Sequence, residues 1–205
     1  MSIKKLRLEA SARLPTKFGI FNLTVYIENE QLYHLALVLG GTDWPDDHVL
    51  VRIHSKCVTG DALGSIRCDC QDQLVRSLQL ISEAKQGVLV YLDQEGRGIG
   101  LLEKIKAYAM QDEFGLDTVD ANIALGHPVD ARSYEPAIEI LHALGLNQIA
   151  LLTNNPEKLQ ALQQAGFNVV QRTLEITPNE YNRKYLETKK LKLGHRILLS
   201  FEDSD

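Results

Sequence analysis

The hydrophobic period of this 205-residue chain changes at Cys70, and that change limits the available architectures more than any other feature. Ahead of it, residues 6–14, 18–27, 32–39 and 49–53 are short runs in which apolar and polar side chains partly alternate. Pro15, Gly19, Asn29 and Gly40-Gly41 punctuate them, so the first third reads as strands. Beyond it, Leu74, Leu78 and Ile81, with Val75 beside them, make a helical stripe that ends at Gly87. Residues 88–92 read as a buried strand, 94–100 as a loop and 101–114 as a helix. A helix over 135–144 stopped by Gly145, a strand over 149–152, a helix opening at Pro156 and a strand over 167–170 follow. Strands alternating with helices imply parallel pairing with helices on the sheet faces. The expected fold is α/β: a mixed β-sheet flanked by helices in three layers, with a β-rich N-terminal part. No linker or repeat divides the chain, so 1–205 reads as a single domain with an ordered core of 6–196 and a frayed tail at 201–205.

All three cysteines, Cys57, Cys68 and Cys70, sit at the same junction. Cysteines serving only as small hydrophobes scatter through a core. Three confined to one segment suit a thiolate metal site, with Zn²⁺ the usual occupant. Cys68 and Cys70 are two apart, so on an extended strand their sulfurs share a face, and Cys57 returns to them across the turn Thr59-Gly60-Asp61. Three protein ligands leave the fourth tetrahedral position for water, the catalytic arrangement. Three inert buried thiols, or a structural zinc closed by His54, fit the same pattern. A disulfide is not expected, because the count is odd and Met1-Ser2-Ile3-Lys4-Lys5 does not open a secretory leader.

With 22 basic against 27 acidic residues the net charge is −5, which argues against a general nucleic-acid binder. A compact anion held by a few focused arginines remains open. No apolar run has the length of a membrane span, and free thiolates fit a reducing cytoplasm.

Three loops are candidates for holding such an anion. Glu95-Gly96-Arg97-Gly98-Ile99-Gly100 lies between a strand and a helix, but glycines at 96, 98 and 100 do not make the dinucleotide pattern G-x-G-x-x-G. It reads either as backbone amides and one cation, Arg97, aimed at anionic oxygen, or as an ordinary glycine-rich turn. In Thr153-Asn154-Asn155-Pro156-Glu157-Lys158, Asn155 is the expected N-cap and Pro156 the first helical residue. There Thr153 and Lys158 face a phosphate, or the loop merely caps a helix beside a solvated lysine. Asp130-Ala131-Arg132, taken alone, reads as a surface ion pair.

Together these segments resemble GTP cyclohydrolase II, the zinc enzyme that opens riboflavin synthesis. The likeness is carried by Arg52-Ile53-His54-Ser55, by the three cysteines with Thr-Gly-Asp-Ala-Leu (59–63) between them, by Gln73, and by Glu-Gly-Arg-Gly-Ile-Gly-Leu (95–101). It continues through residues 106–109, 117–122, Leu125-Gly126, Asp130, Arg132, 153–156, 185–189 and Gly194-His195, and so covers nearly the whole chain. The resemblance implies a hydrolase that takes GTP, releases pyrophosphate, opens the imidazole ring and releases C8 as formate. It implies zinc on Cys57, Cys68 and Cys70. GTP would be bound by Arg52 with Ile53, His54, Ser55 and Lys56, by Gln73, by Glu95, Gly96 and Arg97, and by Thr118, Thr153 and Lys158, with Mg²⁺ on the triphosphate. Tyr108 would lie near the base, Asp130 would accept a proton, and Arg132 would be a nucleophile toward the α-phosphorus. A cytoplasmic homodimer is implied as well.

The residue types suit that chemistry. Zinc lowers the pKa of bound water, giving a nucleophile for C8 at neutral pH. Three thiolates weaken its Lewis acidity, which hydrogen bonds to sulfur from backbone or Arg67 would restore. Glu95 is a candidate reader of the donor edge of guanine. A protonated guanidinium has no lone pair, so a phosphate clamp oriented by Asp130 is the simpler role for Arg132. Lys56 stands where the family usually has an acid, Gln71 where glycine is common, and Gly64 where a bulkier residue is usual. A paralogous purine-nucleotide hydrolase that stops early, or a non-catalytic nucleotide binder, is the rival reading.

Overall fold

The computed structural model describes residues 6–45 and 47–196; the tail expected to fray at 201–205 lies outside them. Strands β1 (Leu6–Thr16), β2 (Gly19–Glu28), β3 (Leu32–Leu39), β4 (Val49–Ser55), β5 (Gly87–Leu92), β6 (Gln148–Leu152) and β7 (Asn168–Arg172) form one sheet. The helices are α1 (Val58–Asp61), α2 (Cys70–Ala84), α3 (Leu101–Phe114), α4 (Thr118–Ala124), α5 (Glu135–Ala143), α6 (Pro156–Gln164) and α7 (Arg183–Lys192). The strand order is β1-β2-β3-β5-β4-β6-β7. The first three strands form an antiparallel meander, and β3 pairs antiparallel with β5. From β5 through β4 and β6 to β7 all pairing is parallel. Tight turns suffice for the meander, whereas each parallel pair needs a crossover, and here the crossovers carry helices.

Period-two alternation divides the sheet between two cores. Val49, Val51 and Ile53 of β4 and Val88, Val90 and Leu92 of β5 pack with Ala137, Ile140 and Leu141 of α5 and Leu162 of α6. Their neighbours Leu50, Leu89 and Tyr91 face the opposite side, against Leu74, Leu78 and Ile81 of α2. The expected α/β sheet with helices on both faces is therefore what forms, and the predicted α2 stripe is its buried face. That helix stops at Ala84 rather than at Gly87. Lys85 turns left-handed at φ 61°, and its N–H bonds Ser82 O at 3.1 Å. Gly87 instead opens β5, where a Cβ would lie 2.8 Å from Leu50 O, so the glycine serves strand contact.

Neither α4 nor α7 was expected from periodicity. α4 is short and is held by the Asp117 side chain, which accepts from the N–H groups of Val119 (2.8 Å) and Asp120 (3.0 Å). The α7 sequence is largely charged and shows no apolar repeat.

The segments that leave β4, β5 and β6 emerge at their carboxyl ends. The chain goes from β4 to β5 on one side and then crosses to β6 on the other. In open α/β sheets ligands bind in the crevice at such a crossing.

Candidate active site

Around this crevice lies an open cleft of about 990 Å³, counting the solvent space of its mouth. Cys57, Cys68 and Cys70 form one wall. Their sulfurs all lie within 4.8 Å of one another, and Cys57 Sγ is 3.8 Å from Cys68 Sγ. A tetrahedral zinc with Zn–S bonds of ~2.3 Å sets its sulfurs ~3.8 Å apart, so the donor set fits such an ion. The route to this geometry differs from the expected strand. Cys68 lies in a bend and Cys70 is the first residue of α2, so a helix start turns the two sulfurs toward Cys57. Hydrogen bonds with its two sulfur neighbours hold the Cys57 thiol far below its usual range. The contact with Cys57 pushes up the other two, Cys68 to about 11.

His54 does not complete the cluster. Its Nε2 is 3.1 Å from both Asp61 oxygens, and its ring stacks on Tyr91. Asp61 also accepts from the Cys57 N–H (3.0 Å) and the Tyr91 hydroxyl (2.8 Å), which fixes the backbone that presents Cys57. Arg67 does not serve the sulfurs either. It pairs with Asp112 at 3.0 Å through both terminal nitrogens and lies over the Tyr108 ring. The cation that reaches sulfur is Lys104 of α3, whose Nζ donates to Cys57 Sγ at 3.0 Å. A Cβ at Gly60 would lie 3.1 Å from Cys68 Sγ and 3.3 Å from Cys57 Sγ. Gly60→Ala is therefore expected to cost about 1–3 kcal/mol, read as a lower thermal midpoint and weaker metal uptake.

The glycines after β5 serve backbone conformation and close approach. Gly96 and Arg97 are both left-handed, at φ 61° and 59°. A Cβ on Gly98 would meet Ala131 C and O at 2.9 Å, and Ala131 N–H bonds Arg97 O at 3.0 Å. The two loops are thus stitched together, and Arg97 and Arg132 come to the same cleft. Asp130 and Arg132 are not a surface pair. Their side chains are 19% and 12% exposed, and Asp130 accepts from Arg132 N (3.0 Å), Nε (2.9 Å) and Nη2. Burial alone would lower the Arg132 pKa, but the Asp130 hydrogen bonds outweigh it and hold the value above the arginine range. Asp130 sits behind Arg132 and does not itself line the cleft.

Asn155 caps α6 as expected, accepting from Glu157 N–H at 2.8 Å. Thr153 lines the cleft, its hydroxyl oxygen accepting from Asn155 N–H at 3.1 Å. Lys158 is buried rather than solvated, and its Nζ donates to Ile53 O at 2.8 Å. Burial lowers its pKa well below the usual lysine value, and Arg52, Arg132 and Lys189 add to the effect. Arg52, also buried, is lowered to about 10 by desolvation; it bonds Leu152 O (2.8 Å) and Gln73 Oε1 (2.5 Å). Burial and the nearby cations push His195 down to about 2. A chain of net charge −5 thus concentrates cations in one cleft. Several buried polar atoms of cleft residues have no hydrogen-bond partner among the described residues: Arg52 Nε, His54 Nδ1, Ser55 Oγ, Gln94 Oε1, both Arg97 Nη atoms and Gln111 Nε2. Such groups are costly to bury unless something in the cleft meets them.

Lys56, Gly96, Tyr108 and Thr118 also line the cleft. Lys56 is drawn to Asp93 Oδ1 (2.9 Å), and burial pushes the Tyr108 phenol up to about 12. Ile53 belongs to the core and offers the cleft no side chain. Glu95 is committed inward: Oε2 accepts from Val58 N–H (2.6 Å), and Oε1 from Lys104 Nζ (2.9 Å) and Gly96 N–H (3.0 Å). It lines the cleft all the same, and three of a carboxylate's roughly four acceptor positions are taken, which leaves about one for a ligand. Gly64, at φ 69° with open space around it, occupies a turn that suits glycine.

Sequence reasoning missed Lys104, Asp61, Tyr185, Lys189 and His195 as site residues. Lys104, Tyr108 and Gln111 share one face of α3 by their spacing of four and three, a signal available once Tyr108 is placed. Lys189 donates to Asp69 Oδ1 at 2.6 Å, which brings α7 over the cysteine segment.

An α/β sheet with a cation-rich cleft and a trio of sulfurs at its strand ends defines a protein equipped for an anionic ligand and a metal ion. The family model for GTP cyclohydrolase II matches residues 7–174. The chain is 49% identical over 198 residues to GTP cyclohydrolase-2 of Histophilus somni (strain 2336), covering 96% of this chain and 91% of that one. It is 47% identical over 196 residues to the Haemophilus influenzae (strain PittGG) protein of the same name, covering 95% and 90%. The chain belongs to the GTP cyclohydrolase II family. A two-domain 3,4-dihydroxy-2-butanone 4-phosphate synthase from A. baumannii is similar at a TM-score of 0.46 and 21% identity; the match covers 85% of this chain and 42% of that one.

Proposed function

We propose that this chain hydrolyses GTP to 2,5-diamino-6-ribosylamino-4(3H)-pyrimidinone 5′-phosphate, formate and pyrophosphate, the first step of riboflavin biosynthesis. The observation that carries this reading is the meeting of buried cations and three sulfurs in one cleft. Cys57, Cys68 and Cys70 would hold zinc, which when bound supplies a Lewis acid able to activate water for attack at C8. Arg97, both of whose Nη atoms lack a partner among the described residues, Arg132 and Lys158 bind the triphosphate, with Mg²⁺ on its oxygens. Arg52, Gln73, Thr118 and Thr153 complete the substrate wall. Asp130 orients the Arg132 guanidinium, which acts as a clamp on phosphate rather than as a nucleophile. Tyr108 keeps its proton at neutral pH and donates toward the bound nucleotide.

Residues 6–196 act as one domain in this reading, in a cytoplasmic homodimer. Exposed Leu101, Leu102 and Ile105 on α3 supply an apolar surface that supports pairing. Among the described residues no helix is long and apolar enough to cross a membrane.

The test is purified protein with GTP and Mg²⁺, with and without a zinc chelator, following formate, pyrophosphate and the pyrimidine. Formate and pyrimidine formed only without chelator support the assignment. Pyrophosphate release or ring opening without formate would replace it with a truncated reaction.

A further inference from the structure

Lys104 is held on every side. Its Nζ donates to Cys57 Sγ (3.0 Å), Thr59 Oγ1 (2.8 Å) and Glu95 Oε1 (2.9 Å), which uses all the donors of an ammonium. Glu95 is itself fixed by the N–H groups of Val58 and Gly96. Only 9% of Lys104 is exposed, so water does little to screen its charge from the sulfur. We propose that Lys104 is the built-in counter-charge of the thiolate centre, a positioning residue that sets how tightly the sulfurs hold their ion and how much electron density Cys57 gives it. This rests on the reading of Cys57, Cys68 and Cys70 as metal ligands.

The formal charges give the reason. Three thiolates around a divalent ion leave one negative charge in the cleft, and an ammonium at hydrogen-bond distance, though shared with the Glu95 carboxylate, offsets part of it where it touches Cys57. A donor on a ligating sulfur also draws density away from the metal, keeping the ion electrophilic despite its sulfur-rich surroundings. Glu95, spread across two backbone amides and Lys104, keeps the ammonium from swinging toward solvent or substrate.

The experiment titrates metal-free full-length parent, Lys104→Met and Lys104→Arg with Zn²⁺ against a chromophoric chelator, and records the sulfur-to-metal charge-transfer band with Co²⁺. Circular dichroism monitors folding. Lys104→Met, which keeps length but loses charge and donors, is expected to bind Zn²⁺ about 10–100-fold more weakly. Its Co²⁺ band should move to longer wavelength, and Lys104→Arg should recover most of both properties. If Lys104→Met does not fold, Lys104→Gln, which loses the charge but keeps a polar donor, should shift both readouts in the same direction by less. Parent-like affinity in a folded Lys104→Met would overturn the inference while leaving the sulfur site intact. So would weakened affinity with an unmoved band, which marks a packing loss. A parent protein that takes up no metal would overturn the site and the inference together.

Discussion

Protein carrying Cys68→Ala is expected to release formate from GTP at less than about a thousandth of the parent rate, and excess Zn²⁺ should not restore it. Cys68 is buried, and its sulfur is one corner of the cluster, 3.8 Å from Cys57. Its removal leaves two sulfurs, and His54, whose Nε2 is tied to Asp61, stands outside the cluster. Without a Lewis acid, water near C8 keeps a pKa near ~15.7, and almost none is ionised at neutral pH. The substituted side chain lies in the cleft and not in either sheet core, so the thermal midpoint should fall far less than activity. Substantial formate release by a folded, metal-free Cys68→Ala protein would remove the metal from the chemistry altogether.

Arg132→Ala should lower kcat for pyrophosphate release by about 10²–10³-fold, and Arg132→Lys should recover little of it. The guanidinium is gripped by Asp130 through Nε and Nη2, so its remaining N–H groups have a set direction toward the cleft. A lysine supplies charge without that fork. Asp130→Asn should give a smaller loss, because the guanidinium stays but loses its orientation. Asp130 holds the Arg132 pKa above the ordinary arginine range, which favours the protonated guanidinium, a form without an electron pair to offer phosphorus. Acid-quenched protein should accordingly show no nucleotidyl mass on the Arg132 peptide. An adduct trapped there would establish covalent catalysis instead.

Most of the fold was legible because its elements announce themselves locally. Alternation at 32–39 and the stripe at Leu74, Leu78 and Ile81 map directly onto buried faces. Asn155 followed by Pro156 marks a helix start by chemistry that needs no tertiary context. The cysteine trio was legible as well, although its geometry comes from a helix start rather than a strand, because crowding in sequence survives either backbone. What the sequence hid depends on distant contacts. Nothing near Arg67 and Lys104 says which cation meets sulfur; that depends on the angle at which α3 packs, and Asp112 captures the other. Glu95 looks like a free acid until Val58 N–H and Lys104 are seen to bond it. The role of α7 was invisible for the same reason, since a run of lysines suggests a solvated helix until Asp69 receives Lys189.

The placement of α7 has a consequence for how the enzyme is made. Tyr185, Lys189 and His195 line the cleft, yet they lie past residue 174, where the family match ends. A nascent chain that has just finished β7 has every strand of the sheet and all three cysteines, but the cleft is still open on one side. That side closes only when α7 and His195 dock, so a chain cut after β7 would leave the cleft unsealed.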